Sequence, residues 1–363
     1  MDKSDIVNED IREISCEIED ISHNLEDKTV LLAGGAGFLG KYMISTFDHL
    51  NKNLLKKPCN LIVLDNFITG LRENVPESEN ITLIKHDISE EFKTDENIDY
   101  IIHAASLASP VFYNKFKLET INAGFLGTRN LLELAKVKNL KNFLFFSSSE
   151  VYGNPLPEFI PTKEDYFGHV SCNGPRACYD ESKRIGETLC VSYGDIHDIP
   201  IKIVRPFNIY GPGMRLDDGR VMANFVVAAI EGKKIPLYRR GNQTRTFGYV
   251  SDATAGWFKA LLSNEKERVF NIGNDDQEIK MKHLAELVLG LVGNKSSAIE
   301  YVEDTTSVYR DNVDPDRRCP DLTKSRELLN YKAKTNLVYG VKKFIGWVEE
   351  ELDNRRKGLE DKT

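Results

Sequence analysis

Residues 29–40 read Thr29-Val30-Leu31-Leu32-Ala33-Gly34-Gly35-Ala36-Gly37-Phe38-Leu39-Gly40. A short apolar run of the kind that forms a buried strand passes straight into a glycine-rich turn, and the turn passes into a helical pattern. The glycines allow a tight turn, close approach of backbone to a pyrophosphate, and close packing of the following helix on the strand. The N-terminus of that helix then aims its unpaired N–H groups at the phosphates. The stretch satisfies both Gly-x-Gly-x-x-Gly and Gly-x-x-Gly-x-x-Gly. Glycine turns are common, so the loop gains its weight from the strand before it and the helix after it.

Outward from this loop, short apolar runs alternate with helical stretches. Strands are predicted at 29–33, 60–65, 81–85, 100–103, 141–147 and 201–205, with helical periodicity at 125–138 and 181–193. Continuously apolar strands alternating with helices imply a parallel sheet covered on both faces and joined by right-handed crossovers. The expected fold is therefore α/β, a Rossmann-type doubly wound parallel sheet. Asp65 ends the second strand where a ribose-binding acid belongs. A carboxylate there accepts from both ribose hydroxyls and repels a 2′-phosphate, which favours NAD over NADP. After residue 206 the pattern loosens into loops with helices near 221–231 and 283–292. The expected organisation is an N-terminal helical extension over 1–27, a cofactor-binding domain over 28–205, and a smaller α/β substrate-binding lobe over 206–355 interleaved with it.

The 363 residues suffice for a real core without metal or disulfide staples. The net charge of −8 resides in residues 1–27, which hold ten acids and two bases; the remaining chain carries 46 of each sign. A neutral body without a basic run argues against nucleic acid or an anionic membrane as partner. No apolar run approaches the length of a transmembrane helix. The acidic start lacks the basic and apolar regions of a secretory leader. The six cysteines (16, 59, 172, 178, 190, 319) form no Cys-x-x-Cys pair, and the histidines show no ligand spacing, so no metal site is expected. Scattered thiols fit a reducing cytoplasm. Within 1–27, Val7, Ile11, Ile14, Ile18, Ile21 and Leu25 recur at alternating spacings of four and three, drawing a narrow apolar stripe on an acidic helix. That helix lies either on the body of its own chain or against a second subunit.

Two further stretches carry chemistry. In Tyr179-Asp180-Glu181-Ser182-Lys183 the Tyr and Lys stand four apart on one helical face, so an ammonium can depress the phenol pKa. Alone, Tyr-x-x-x-Lys is a common solvated pattern. Upstream, however, the fifth strand ends in Ser147-Ser148-Ser149-Glu150-Val151-Tyr152-Gly153, with hydroxyls and a carboxylate in the crevice where parallel sheets bind ligands. A strand-end hydroxyl, a Tyr and a Lys together make a hydride-transfer site.

With these residues in place, the chain resembles the extended short-chain dehydrogenase/reductase family that acts on nucleotide-sugars, and within it the UDP-glucuronate decarboxylase (UDP-xylose synthase) family. The resemblance spans roughly 29–350. It rests on GGAGFLG, DNFITG (65–70), HDI (86–88), RPFNIYGP (205–212), HAASLASPV (103–111), SSSEVYG (147–153), GPRACYDESKR (174–184), LDDGRV (216–221) and QTRTFGYVSD (243–252). It implies that Gly34, Gly37, Phe38 and Leu39 touch the NAD pyrophosphate. Asp65, Asn66, Phe67, Thr69 and Gly70 would surround the adenosine ribose, Asp87 and Ile88 the adenine, and Ala105 and Ser106 the cofactor cleft. Ser148 would orient the sugar 4-hydroxyl, Tyr179 act as base, and Lys183 hold the nicotinamide ribose. Ser149 would face the sugar. Asn208, Arg220 and Arg245 would contact the nucleotide diphosphate, with Arg245 also a proton donor. A homodimer built through a four-helix bundle is implied as well.

Glu150 helps to choose the reaction. By the same resemblance, 4,6-dehydratases carry Asp-Glu at the strand end, and the Asp protonates a departing 6-hydroxyl; Ser149 removes that acid. The 4-epimerases carry a small residue at the position of Glu150. Ser149-Glu150 is the decarboxylase arrangement, in which a 4-keto sugar loses carbon dioxide as a β-keto acid does and the cofactor is recycled in place. A 4-epimerase, a 4,6-dehydratase and a non-catalytic NAD-binding regulatory protein remain the alternatives. The chain departs from the family pattern at Gly124–Thr128, where Asn-x-x-Gly-Thr is usual and Asn122 is displaced, at Ser171-Cys172-Asn173, and at Arg239-Arg240.

Overall fold

The computed structural model describes residues 3–217, 219–302 and 315–360. Residues 1 and 2 of the N-terminal segment and Asp218 of the 216–221 motif therefore lie outside the described residues. Six strands form where the apolar runs place them: β1 (Thr29–Ala33), β2 (Asn60–Asp65), β3 (Ile81–Lys85), β4 (Tyr100–His103), β5 (Asn142–Phe146) and β6 (Ile201–Pro206). A seventh, β7 (Val269–Ile272), comes from beyond residue 206 and pairs in parallel with β6. The sheet order is β7-β6-β5-β4-β1-β2-β3, parallel throughout. Strand order reverses between β1 and β4, and the crevice above that point is where doubly wound sheets bind ligands.

The two-residue period of each strand feeds two cores. In β1, Val30 and Leu32 enter one and Leu31 and Ala33 the other; in β2, Leu61 and Val63 part from Ile62 and Leu64 in the same way. The helices that cover the sheet are α1 (Lys3–Glu17), α2 (Phe38–Asn53), α3 (Lys117–Asn122), α4 (Thr128–Lys136), α5 (Ala177–His197), α6 (Val221–Ile230), α7 (Val250–Leu262), α8 (Met281–Val292) and α9 (Leu337–Glu360). Tyr42, Met43 and Phe47 of α2, Trp257 and Phe258 of α7 and Val341, Phe344 and Val348 of α9 pack on the first face. Leu131, Leu132 and Ala135 of α4 and Cys190 of α5 pack on the second.

The helical run expected over 125–138 opens instead as a π turn, Ala123–Gly127, before α4. A Cβ added to Gly124 would stand 2.5 Å from Ser182 Cβ, so glycine lets this turn press directly on α5. The N-terminal segment lies on its own chain: Ile11, Ile14, Ile18 and Leu25 are buried in the first core, with Val7 and Ile21 packed at its edge. Two- and three-stranded ribbons form from residues beyond β6, among them Ile279–Lys280, Thr244–Arg245 and Arg317–Arg318, which set Arg318 beside Arg245.

Candidate active site

The glycine loop is shaped as its sequence implies. Gly34 has φ +83°, and a Cβ there would lie 2.5 Å from Ala105 Cα, so any side chain would collide with the β4 loop. Gly37 caps α2, and a Cβ there would meet only Gly34 O at 3.5 Å, leaving its cleft side open. At Gly40 a Cβ would stand 2.4 Å from Gly35 O, which is how the helix comes so near the turn. Asp65 is buried with both oxygens engaged: Ala36 N donates to Oδ2 at 3.0 Å and Phe67 N to Oδ1 at 2.8 Å. Burial pushes its carboxyl up, against these two donors. Asn66 Nδ2 reaches Asp87 Oδ2 at 2.9 Å and closes the far rim.

Gly34, Gly37, Phe38, Leu39, Asp65, Asn66, Thr69, Gly70, Asp87, Ile88, Ala105 and Ser106 all line this cleft. Phe67 does not; it takes φ +61° and serves through the backbone N–H that holds Asp65. An open helix N-terminus, a glycine cradle that a Cβ would fill and a carboxylate at the end of β2 fit a dinucleotide without a 2′-phosphate.

A second cleft opens from the first, sharing Leu39, Ser106 and Arg220. Ser148, Ser149, Glu150, Tyr179, Lys183, Asn208, Arg220 and Arg245 line it together. Tyr179 and Lys183 stand one turn apart on α5, both buried. The Tyr179 ring stacks on Tyr113 with centroids 5.4 Å apart. Burial pushes its phenol up to about 12, while a hydrogen bond with Ser148 and the charge of Arg220 act downward and the charge of Glu150 acts upward. Lys183 Nζ donates to Phe146 O at 2.7 Å, and burial pulls its ammonium down to about 7.

Glu150 sits on the turn that follows β5, its N–H capped by Ser148 Oγ at 3.2 Å. Its Oε2 meets Arg176 Nη2 at 2.5 Å and Arg318 Nη2 at 2.7 Å, a half-enclosed carboxylate between two guanidinium groups. Burial and the charge of Glu150 push the neighbouring Asp180 carboxyl up. Arg245 Nη1 and Nη2 donate to the carbonyls of Thr244 and Pro315, at 2.7 and 2.6 Å. Asn208 Nδ2 donates to Thr246 O at 2.9 Å, and its Oδ1 faces Arg318 at 3.4 Å.

Arg176, Arg318 and Tyr113 are among the site residues that sequence reasoning did not single out. Arg176 stands three residues before Tyr179, at the start of the same helix, and that spacing was an available signal. Arg318 is 168 residues from Glu150, and no local pattern announces it.

Residues 30–273 match the NAD dependent epimerase/dehydratase family. The chain is 38% identical over 331 residues to UDP-glucuronic acid decarboxylase 1 of Xenopus tropicalis, covering 90% of this chain and 74% of that protein. It is 40% identical over 315 residues to UDP-glucuronic acid decarboxylase 5 of Arabidopsis thaliana, covering 86% of each. Among solved structures, the epimerase Mth375 of Methanothermobacter thermautotrophicus superimposes with a TM-score of 0.79 at 26% identity, covering 94% of this chain and 98% of that one. A UDP-glucuronic acid 4-epimerase from Bacillus cereus, solved with UDP-glucuronic acid and NAD, shares the fold with a TM-score of 0.72 at 24% identity, covering 89% and 99%.

Proposed function

The chain belongs to the NAD dependent epimerase/dehydratase family, and on that premise we propose that it decarboxylates UDP-glucuronate to UDP-xylose through a 4-keto sugar. The observation that carries this reading is Glu150 held between Arg176 and Arg318 in the cleft of Tyr179. Two guanidinium groups beside the reacting sugar suit a substrate that brings a carboxylate, and Ser149 offers no acid to expel a 6-hydroxyl.

The chemistry follows from the positions. Ser148 Oγ and Tyr179 Oη share the sugar 4-hydroxyl, and Tyr179 takes its proton. When bound, NAD accepts the hydride from C4, returns it at the end, and sets a positive charge beside the phenol. Lys183 adds its own charge behind the ring, and together these bring down a phenol that burial alone holds high. Once C4 is a ketone, the C6 carboxylate is β to it. The C5–C6 bond then breaks, carbon dioxide leaves, and the electron pair moves onto the C4 oxygen, where protonated Tyr179 stabilises it. Glu150 sets the two guanidinium groups against the C6 carboxylate and opposes its negative charge, favouring its loss as neutral carbon dioxide. A proton from water, relayed by Arg245, would add to C5 as the C4 ketone re-forms, and Tyr179 would give the proton it took back to the C4 oxygen when C4 is reduced. Asn208, Arg220 and Arg245 hold the diphosphate on the far wall.

Two further assignments accompany this reading. The exposed apolar residues Leu118 and Ile121 of α3, Phe125 of the π turn and Ile185 of α5 support a homodimer through these helices. Six free cysteines support a reducing, cytoplasmic setting; among the described residues no helix is long and apolar enough to cross a membrane.

Proton NMR of the purified protein with UDP-glucuronate and no added NAD tests the reaction. UDP-xylose is expected, formed on cofactor that stays with the protein. UDP-galacturonate would replace this reading with 4-epimerisation, and a 4-keto pentose would show that the final reduction is missing.

A further inference from the structure

The acidic helix α1 precedes the family-matched residues 30–273, yet it carries the most enclosed carboxylate of the described chain that is bonded to three different elements. Asp10 is 0% exposed. Its Oδ2 accepts from Tyr42 Oη of α2 at 2.8 Å and from Tyr249 Oη of the strand Gly248–Tyr249 at 3.0 Å. Its Oδ1 accepts from Lys343 Nζ of α9 at 2.6 Å. A helix that merely shielded apolar surface would need no charge at its centre, because burying a carboxylate costs free energy unless it is paired and hydrogen-bonded.

The partners of Asp10 explain its place. Tyr42 does not line the cofactor cleft, but its ring meets Phe38 edge-on with centroids 6.1 Å apart, and Phe38 is a wall of that cleft. Tyr249 does not line the sugar-nucleotide cleft, but its ring packs edge-on against Tyr210 at 5.5 Å, and Tyr210 in turn against Phe247 at 6.1 Å. Tyr210 and Phe247 both line that cleft. Asp10 thus sits one aromatic step behind one binding wall and one to two steps behind the other.

We infer that Asp10 is a positioning residue: through Tyr42 it sets the cofactor-facing end of α2, and through Tyr249 it sets the nucleotide-sugar wall, so that α1 ties the two halves of the site at a fixed separation. Burial pushes the Asp10 carboxyl up, Lys343 supplies the counter-charge that opposes this, and its ammonium also lies over the Tyr249 ring at 5.5 Å. Glu17, paired with Lys259 at 3.5 Å and with Lys334, fastens the C-terminal end of the helix. The nucleotide-sugar arm of this inference rests on the function proposed above; the cofactor arm rests on the glycine loop alone.

The two arms separate in a binding experiment on the full-length protein. NAD and UDP are titrated calorimetrically into wild type, Tyr42→Phe, Tyr249→Phe and Asp10→Asn, each first stripped of the cofactor it retains, with melting temperatures recorded alongside. Ile14→Ala is the control, because Ile14 is buried on the same helix and bonds to none of the tyrosines. Loss of one hydrogen bond from the network weakens the dependent ligand by about fivefold. Tyr42→Phe is expected to weaken NAD and spare UDP, Tyr249→Phe to weaken UDP and spare NAD, and Asp10→Asn to weaken both. If Asp10→Asn fails to fold, the double variant Asp10→Asn with Lys343→Met takes its place, removing the buried ammonium together with the buried carboxylate; Glu9 and Glu13, which also pair with Lys343, are 33% and 46% exposed and keep access to solvent. The inference is overturned if the tyrosine variants lower the melting temperature but leave both affinities within about twofold of wild type, or shift them no more than Ile14→Ala does. Should wild type bind NAD but not UDP, the nucleotide-sugar reading fails, and the Tyr42 variant still decides the inference.

Discussion

Tyr179 and Lys183 are both buried, and burial drives their pKa values apart, the phenol up to about 12 and the ammonium down to about 7. Tyr179→Phe removes the only oxygen placed to take the 4-hydroxyl proton in the proposed mechanism. Its turnover is expected to fall by about a hundredfold or more while NAD titrates as in wild type. NAD binding together with undiminished turnover would remove Tyr179 from the mechanism. Lys183 carries a separate prediction about stability. Its folded pKa lies below the ordinary 10.5, so between about pH 7 and 10.5 the unfolded chain binds a proton that the folded chain does not. Stability of the cofactor-free protein therefore gains with rising pH from this site, with the full penalty present below pH 7 and none above 10.5. Lys183→Met deletes the penalty: its melting temperature should exceed wild type at pH 6.5 and converge on it by pH 10. A constant offset across that range would show that Lys183 is not held in this environment. Both residues were legible in the sequence, because a four-residue spacing and a strand-end hydroxyl are local signals. Arg318 was not, because its proximity to Glu150 arises only when the strand Arg317–Arg318 pairs with Thr244–Arg245 and brings a residue 168 positions away to the end of β5.

At the scale of elements, what could be read depended on how local the cause was. Strands β1, β2 and β4 stand where their apolar runs lie, since a strand buried on both faces must be apolar throughout and the turns beside it need not be, while β3 is the half-exposed edge of the sheet. The run Val269–Ile272 holds a buried Asn271 among its apolar residues, and nothing in its neighbourhood says that it returns to the first sheet. In α1 the apolar stripe was visible and its buried acid was not, because an Asp beside Ile11 and Ile14 looks like the polar edge of the helix until Tyr42, Tyr249 and Lys343 converge on it. The glycine loop is the opposite case, where sequence and geometry coincide atom by atom. Gly34→Ala forces both a left-handed φ on a side chain that resists it and a 2.5 Å contact with Ala105 Cα. The loop must then move away from the place of the pyrophosphate. Calorimetry should find NAD binding weakened by about a hundredfold or lost, with far-UV circular dichroism unchanged, since a misplaced phosphate contact forfeits several charge-assisted hydrogen bonds at once. Wild-type NAD affinity in this variant would mean that the cofactor does not lie across Gly34.

Across the whole molecule, the inner and outer faces of α5 carry different tasks. Inward it presents Tyr179 and Lys183 to the cleft; outward it leaves Ile185 part-exposed beside α3 and the π turn. Leu118 is 72% exposed, and Ile121 and Phe125 follow it at spacings of three and four, so three apolar side chains share one solvent-facing stripe. A stripe on α3 repeated by a second copy, with α5 alongside, gives four helices that bury each other, as the proposed homodimer requires. A stable interface of this kind buries about 1,200–2,000 Å² in total, and a charge at its centre is costly while the same charge on a monomer surface is nearly neutral. Leu118→Glu should therefore convert a dimer to a monomer in sedimentation velocity at micromolar concentration, with little change in the melting temperature of the subunit itself. Because Tyr179 and Lys183 ride on the same helix as Ile185, the monomer should also lose turnover more than it loses affinity for NAD, whose loop lies on β1 and α2. A wild-type protein that sediments as a monomer, or a Leu118→Glu variant that remains a dimer, would leave the stripe without the partner assigned to it and free α5 from any dependence on a second subunit.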